Sequence, residues 1–456
     1  MNALSAAAVG GLLAPQMALA AGILGVLGAG MAAFNPKFIK SLMILVIFCA
    51  FALAFGTHPG AGDALVGLDG LGFSWQLVFY AAALPLAFLM AAESEVAPAL
   101  VLGSLLGLGI LAVSANLLML FIGLELMSLP AYLLVARSRG GAKTSVEAAI
   151  KYFFAGGAAG GLFLLGLALY YFTQKTMSFA GPGGYGAEAG IALMGSAALF
   201  KIGAFPLHFW LPDVYEASDP ELTGFLSTAL KAGGVLLLMR LASLSPAGAF
   251  SRALPWFGAA TMIFGAALAL KQERLQRLLA YSSMAHAGNI ILGVGAWAAL
   301  GASPDAAVAV FFYLAAYLFM NNGAFSFLKA TGAKTRADLH GLGARDPKAA
   351  SAFAVLLLAL GGVPPTAGFL AKLLIFWAAF KAHLYIPLLL AALGALLALG
   401  YYLALLKDLY FEDAPKEAPA LEPGRGLAVL WTCAVPAAVL GLAPWVLTCM
   451  SRLLAL

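Results

Sequence analysis

Fourteen hydrophobic runs, each close to the length that crosses a bilayer, follow one another along this chain with only short polar connections between them. A helix of about 20 apolar residues spans the ~30 Å hydrocarbon layer. The runs lie at 8–33, 38–56, 74–92, 96–113, 115–136, 148–173, 190–211, 222–246, 253–270, 278–300, 306–328, 349–380, 384–406 and 426–450. The stretch from Val96 to Ala136 is too long for one helix, and Ser114-Ala115-Asn116 is the expected turn. The predicted class is an all-α integral membrane protein of about fourteen transmembrane helices, one polytopic domain over 1–456. Composition agrees. Of 456 residues 63% are hydrophobic and 10% charged, whereas soluble domains are about a quarter charged. A chain this poor in charge cannot cover a water-facing surface.

Orientation follows from Lys and Arg in the connections. Loops after odd-numbered runs carry sixteen of them and the opposite side four. Both termini are therefore expected on the periplasmic side, with loops 329–348 and 407–425 in the cytoplasm. No Lys or Arg precedes Lys37, so the first run lacks the basic flank of a cleavable signal peptide and is read as retained. Cys49, Cys433 and Cys449 are too far apart for a Cys-x-x-Cys site and support neither a disulfide framework nor an iron–sulfur cluster. Gly-Ala-Lys-Thr occurs at 141–144 and 332–335, without the glycines of a phosphate-binding loop. Nucleotide, metal and nucleic-acid binding are not expected.

Charges inside the runs are the chemical signal. A charge at mid-membrane costs roughly 2.5–3.5 kcal/mol on insertion scales, so such residues usually face the bundle interior and are paired or functional. Glu125 lies about ten residues into the fifth run, too deep to reach water easily. Lys201 is central in the seventh, in Phe200-Lys201-Ile202-Gly203-Ala204-Phe205-Pro206-Leu207-His208. Pro206 removes a helical hydrogen bond there, and broken helices at membrane depth line cavities or are buried in protein. Lys201 and His208 are seven apart, which on a continuous helix places them on one face. Lys231 lies within the eighth run and Lys372 deep in the twelfth, after Gly361-Gly362-Val363-Pro364-Pro365, a second expected break at Pro364 and Pro365. Two proline-interrupted segments, each with a lysine nearby, are what a transporter with internal repeats shows. Lys151 sits one turn into the sixth run, where snorkelling also accounts for it, and Arg240 falls on the helix face opposite Lys231. In the tenth run Ser282, His286 and Asn289 share one stripe, with Ser283 beside them; interhelical hydrogen bonding is the plainer use of such residues. A buried ammonium is costly to keep charged, and a neighbouring carboxylate offsets that cost. Moving the partner would thus switch such a site between holding and releasing a proton. Glu125 and Lys201 make such a pair if their helices touch.

These residues resemble the antiporter-like membrane subunits of respiratory complex I. The resemblance rests on Gly123-Leu124-Glu125-Leu126-Met127-Ser128-Leu129-Pro130, Glu147-Ala148-Ala149-Ile150-Lys151-Tyr152, Phe200-Lys201 and Pro206 to Tyr215. It continues through Arg277 to His286 and Gly368-Phe369-Leu370-Ala371-Lys372, and so covers most of the chain between about 95 and 410. The Ser-Leu-Pro and Asp-Val-Tyr elements favour the subunit N branch. The resemblance implies two inverted five-helix repeats, helices 4–8 and 9–13, with helices 7 and 12 broken. The segments are then 1–95 with the first three helices, 96–246 and 253–406 as the repeats, and 407–456 as a loop and the last helix. It also implies that Glu125 pairs with Lys201, that Lys231 links half-channels, that Lys372 lies on the exit side, and that Lys151 and His286 match polar axis residues. The implied partners are the lipid bilayer and other membrane subunits in a bacterial inner membrane. Quinone, NADH, FMN and iron–sulfur clusters would belong to the whole complex and none to this chain.

One departure stands out. Where the family usually has a neutral Gly-Ala-Pro-rich turn after Tyr215, this chain reads Glu216-Ala217-Ser218-Asp219-Pro220-Glu221. These carboxylates would either attract protons or repel lipid phosphates. A subunit of a multi-subunit sodium/proton antiporter, or of a related hydrogenase or ferredoxin-linked complex, is the alternative reading. A purely structural role for the buried charges is a third.

Overall fold

The computed structural model describes residues 10–57, 60, 62–91, 93–179, 184–413, 425–443 and 445–455. Most of loop 407–425, with Lys416, and both chain termini lie outside the described residues. Among the described residues the regular elements are helices, with isolated β-bridges only. The helices are α1 Ala14–Met31, α2 Pro36–Gly56, α3 Gly70–Leu89, α4 Val96–Ala112, α5 Leu117–Gly141, α6 Lys143–Gln174, α7 Tyr185–Ile202, α8 Leu211–Ala217, α9 Pro220–Phe225 and α10 Lys231–Leu244. They continue as α11 Ala249–Ala269, α12 Leu275–Ala299, α13 Pro304–Thr331, α14 Leu342–Arg345, α15 Pro347–Gly361, α16 Ala367–Lys381, α17 Tyr385–Tyr410, α18 Arg425–Val439 and α19 Trp445–Ala455.

Local chemistry sets many of these boundaries. Asn35, Asp69, Asn116, Ser303 and Asp346 each accept a backbone N–H of the first turn that follows, at α2, α3, α5, α13 and α15. Pro36, Pro304 and Pro347 stand at first helical positions, where a missing N–H costs nothing. Val96–Ala136 does divide, with the chain turning between Ala112 and Leu117.

Nine helices among the described residues are long and apolar enough to cross a membrane, or ten if the bent pair near the C-terminus counts as one span. The sequence runs outnumber them for physical reasons. Helix α4 has 17 residues, and the run at 349–380 is divided between α15 and α16. Helix α12 is long but studded with Gln276, Arg277, Ser282, Ser283, His286 and Asn289. Outward faces agree with a lipid solvent. Leu45, Phe48, Leu53 and Phe55 on α2, and Leu389, Leu393 and Leu396 on α17, are all exposed. Patches of this kind are rare on soluble monomers.

Contacts divide the chain into two compact units. The first comprises 1–202, 229–251 and 452–456; the second comprises 203–228 and 252–451. In the first, α4, α5, α6 and α7 pack in sequence order, and α10 packs on α3, α4 and α7. In the second, α13 is central and touches α9, α12, α15, α16 and α18. Twenty-one of its 28 residues are buried, which explains why apolar residues occur on all its faces.

Candidate functional site

In the first unit the site is built on α5, α6 and α7. Lys201 occupies the last turn of α7 and is 4% exposed. Its Nζ donates to Tyr152 Oη at 3.0 Å and lies 5.0 and 5.3 Å from the ring centres of Tyr152 and Tyr132. Those rings meet edge to face with centres 4.5 Å apart. The ammonium is thus held by one hydroxyl and two aromatic faces, a combination that stabilises a cation where water is scarce. Glu125 is half-buried on α5, two turns before Tyr132. Helix α6 lets both side chains of α5 approach because it carries glycine where they arrive. A Cβ at Gly156 would fall 2.0 Å from Tyr132 Oη, and one at Gly160 would fall 2.8 Å from Glu125 Oε1. Gly156 and Gly160 are one turn apart, the small-xxx-small spacing of close membrane helices.

Lys231 is 1% exposed at the start of α10, directly after a π-helical turn at Leu226–Leu230. Such turns recur at functional positions in helices. Arg240 forms a two-pronged ion pair with Asp69, at 2.5 and 2.7 Å, which assigns it a structural role. Lys151 is not drawn into the cluster. Its side chain is half exposed on α6 and pairs with Glu147 at 2.9 Å.

The second unit carries a hydrogen-bonded network around α12. His286 Nδ1 lies 2.8 Å from Tyr313 Oη, and Nε2 lies 3.1 Å from Tyr402 Oη, which in turn is 2.5 Å from Ser282 Oγ. Tyr317 Oη donates to Ser283 Oγ at 2.8 Å, with Tyr215 Oη 3.5 Å from the same oxygen. The ring of Tyr317 rests against the ring of His286, centres 5.1 Å apart. Asn289 donates to the carbonyl of Ala285 at 3.5 Å. Every member of this network can both give and take a proton or a hydrogen bond. Sequence reasoning found the α12 stripe and missed the tyrosines, because a tyrosine within an apolar run is ordinary.

Lys372, on α16 and 7% exposed, donates to the carbonyls of Leu360 and Gly361 at 2.9 and 2.7 Å. These are terminal carbonyls of α15, which have no helical partner, so the lysine caps a negative helix end. Between the two helices Gly362 takes φ +80°, and a Cβ there would lie 2.9 Å from Lys372 Nζ. Pro364 and Pro365 fall in the same non-helical stretch, and Pro206 lies in another at 203–210.

The helical-face argument for Lys201 and His208 does not apply. Helix α7 stops at Ile202, Gly203 has φ +78°, and His208 lies on non-helical chain, half-buried and stacked on Phe205. Nor is the acidic segment 216–221 an open set of carboxylates. Glu216 pairs with Arg274 and with Arg277, the latter at 2.8 Å, and buried Glu221 pairs with Lys329 at 2.7 Å. Both glutamates have thus found basic partners from α12, α13 or the turn before α12.

Interrupted membrane helices with buried lysines, in a fold like that of complex I, define the class as an antiporter-like membrane protein. The chain belongs to the transmembrane family described as NADH:quinone oxidoreductase/Mrp antiporter, which matches residues 114–398. It is 34% identical over 417 residues to NADH-quinone oxidoreductase subunit N of Paramagnetospirillum magneticum, covering 83% of each chain. It is 39% identical over 370 residues to subunit N 1 of Sorangium cellulosum, covering 75% of this chain and 72% of that one. Among solved structures it is similar to a chain of respiratory complex I from Thermus thermophilus, with TM-score 0.85 and 32% identity over 95% of this chain and 98% of that one. A chain of the Mrp complex from Dietzia shares the fold at TM-score 0.87 and 22% identity, over 97% of each chain.

Proposed function

We propose that this chain is the subunit N-type, non-redox membrane subunit of a proton-translocating NADH:quinone oxidoreductase. Quinone reduction in other subunits supplies the energy, and the quinone, NADH, FMN and iron–sulfur clusters belong to the rest of the complex. The chain is multi-pass in a bacterial inner membrane, both termini periplasmic, beside other membrane subunits. Its proposed organisation is fourteen helices with two inverted repeats, 96–246 and 253–406, between 1–95 and 407–456, and with helices 7 and 12 broken.

The observation that carries the reading is Lys201, a buried ammonium with Glu125 within electrostatic reach and a tyrosine hydroxyl 3.0 Å away. A lysine held by a hydroxyl rather than by a tight ion pair can give up its proton without breaking a salt bridge. Lys231, His286 and Lys372 are the other buried members of the proposed proton path, supported by Ser282, Ser283 and Asn289. Lys151 and His208 are its more accessible members. Lys201→Ala is expected to abolish pumping, and to slow electron transfer where the two are tightly coupled. Lys201→Arg should not restore it, because a guanidinium keeps its proton at any accessible pH. Full pumping in the Arg variant would mean that a fixed positive charge suffices, and the shuttle role would be wrong.

A further inference from the structure

The connection between α13 and α15 forms a half-open cavity of about 240 Å³, lined by Thr331, Gly332, Lys334, Asp338, Leu342 and Arg345 among others. It lies wholly in the second unit. Its walls are made by local rules. Gly332, at φ +69°, ends α13 in the left-handed conformation. Thr335 and Asp338 then form a reciprocal capping box around a short 3-10 turn, Arg336–Leu339. That box decides the charge of the cavity. Asp338 Oδ2 accepts the amides of Lys334 and Thr335, both at 2.8 Å. Burial pushes this carboxyl up, but the two amides outweigh it and hold it below its ordinary value, so it stays ionised and committed to the backbone.

The basic groups are less occupied. Arg345 Nη2 reaches only the carbonyls of Asp338 and His340, at 3.4 and 3.2 Å. Its Nε is buried and has no hydrogen-bond partner among the described residues. The neighbouring Arg336, by contrast, is neutralised by the carboxylate of Asp408, at 2.7 and 3.2 Å. Two cations and one committed carboxylate leave the cavity one positive charge in excess. Its volume is far above the about 30 Å³ that one water claims in the liquid. Position completes the case. The cavity begins where the membrane helix α13 ends, in a connection that carries Lys329, Lys334, Arg336, Arg345 and Lys348 against Asp338 and Asp346.

We propose that this cavity binds a phosphate group, gripped by Arg345 and Lys334. A phospholipid headgroup offers that group at the depth where a membrane helix ends, and basic pockets facing the cytoplasm suit anionic headgroups. Free phosphate offers the same chemistry. The site is independent of the proton path and would survive the failure of that reading.

The test uses the full chain, purified from its own membranes with its accompanying subunits and placed in nanodiscs of phosphatidylcholine. Some discs also contain phosphatidylglycerol with a photo-crosslinking headgroup, and the labelled peptides are mapped by mass spectrometry. Labelling of the 331–345 segment is expected. Near-surface basic residues each contribute enough that Lys334→Gln or Arg345→Gln should lower labelling roughly five-fold, and the pair about 25-fold. Lys271→Gln, a basic residue of another connection, should leave it unchanged. Lys334→Arg keeps the charge and should keep the labelling, which guards against a folding defect in the Gln variants. If inorganic phosphate in the buffer suppresses labelling, the site takes free phosphate as well. If it does not, the lipid is the occupant. Absent labelling, or equal labelling in the double variant, overturns the proposal. So does carbodiimide coupling of Lys334 to a neighbouring subunit's carboxylate in place of lipid, which would make the cavity a protein contact.

Discussion

The lysines of this chain differ in what surrounds them, and that difference sets what each substitution should do. Lys201 has Tyr152 at 3.0 Å and Glu125 at longer range. Tyr152→Phe removes one hydrogen bond to a charged group, about 1.5–3 kcal/mol, and keeps both aromatic faces. Pumping should fall while assembly survives; unchanged pumping would show the hydroxyl to be a bystander. Glu125→Gln removes the counter-charge that the half-buried carboxylate supplies. If the pair is a proton switch, pumping falls while the assembled complex is retained, and Glu125→Asp keeps part of the activity. If the pair is only structural, the unpaired cation depletes the complex instead. Pumping and assembled complex measured in the same membranes separate the two outcomes, and normal values of both would leave Glu125 an incidental acid. These lysines were legible because an apolar run makes a buried charge conspicuous. The tyrosines beside them were not, since Tyr132 and Tyr152 gain meaning only when α5 and α6 meet.

At the scale of elements, helix ends do the positioning. Lys372 stays where it is because the last carbonyls of α15 face it, and Gly362 makes that approach possible. Gly362→Ala forces a non-glycine residue into the left-handed region, at about 1–2 kcal/mol, and crowds the ammonium. Reduced pumping with modest loss of protein is expected; wild-type levels of both would show that the carbonyl contact is dispensable. A second element-level contact joins the 3-10 turn to α17. Arg336 donates two hydrogen bonds to Asp408, whose side chain is 6% exposed. Breaking a buried pair costs about 3–5 kcal/mol, and partial exposure of the Arg336 side chain argues for the low end. Arg336→Ala should therefore lower the unfolding temperature and expose the α13–α15 connection to protease, whereas an unchanged digestion pattern would mean that the pair does not hold the turn. The breaks themselves were readable from Gly-Gly-Val-Pro-Pro and from Gly203 to Pro206. The direction the chain takes after each break was not, which is why a helical spacing between Lys201 and His208 misled.

For the molecule as a whole, charge asymmetry in the loops and an almost unbroken series of apolar runs lead to the largest claims. A cysteine placed at Lys334, with Cys49, Cys433 and Cys449 replaced by Ser, should react with a membrane-impermeant reagent only after permeabilisation. Labelling in intact cells would reverse the orientation. The chain should also purify together with other membrane subunits and carry no stoichiometric flavin, haem or iron of its own; a chromophore in the isolated subunit would contradict that. Membrane class, approximate spans and the lysines worth testing could be read from residues alone. In lipid, each segment must satisfy its own backbone and answer for each charge, and both demands are local. What only the tertiary structure decided is which faces meet. Helices apolar on all sides carry little signal of their orientation. The aromatic cradle of Lys201, the tyrosines around His286, the exposed place of Lys151 and the pairing of Glu216 and Glu221 with basic residues therefore emerged only once the helices were packed.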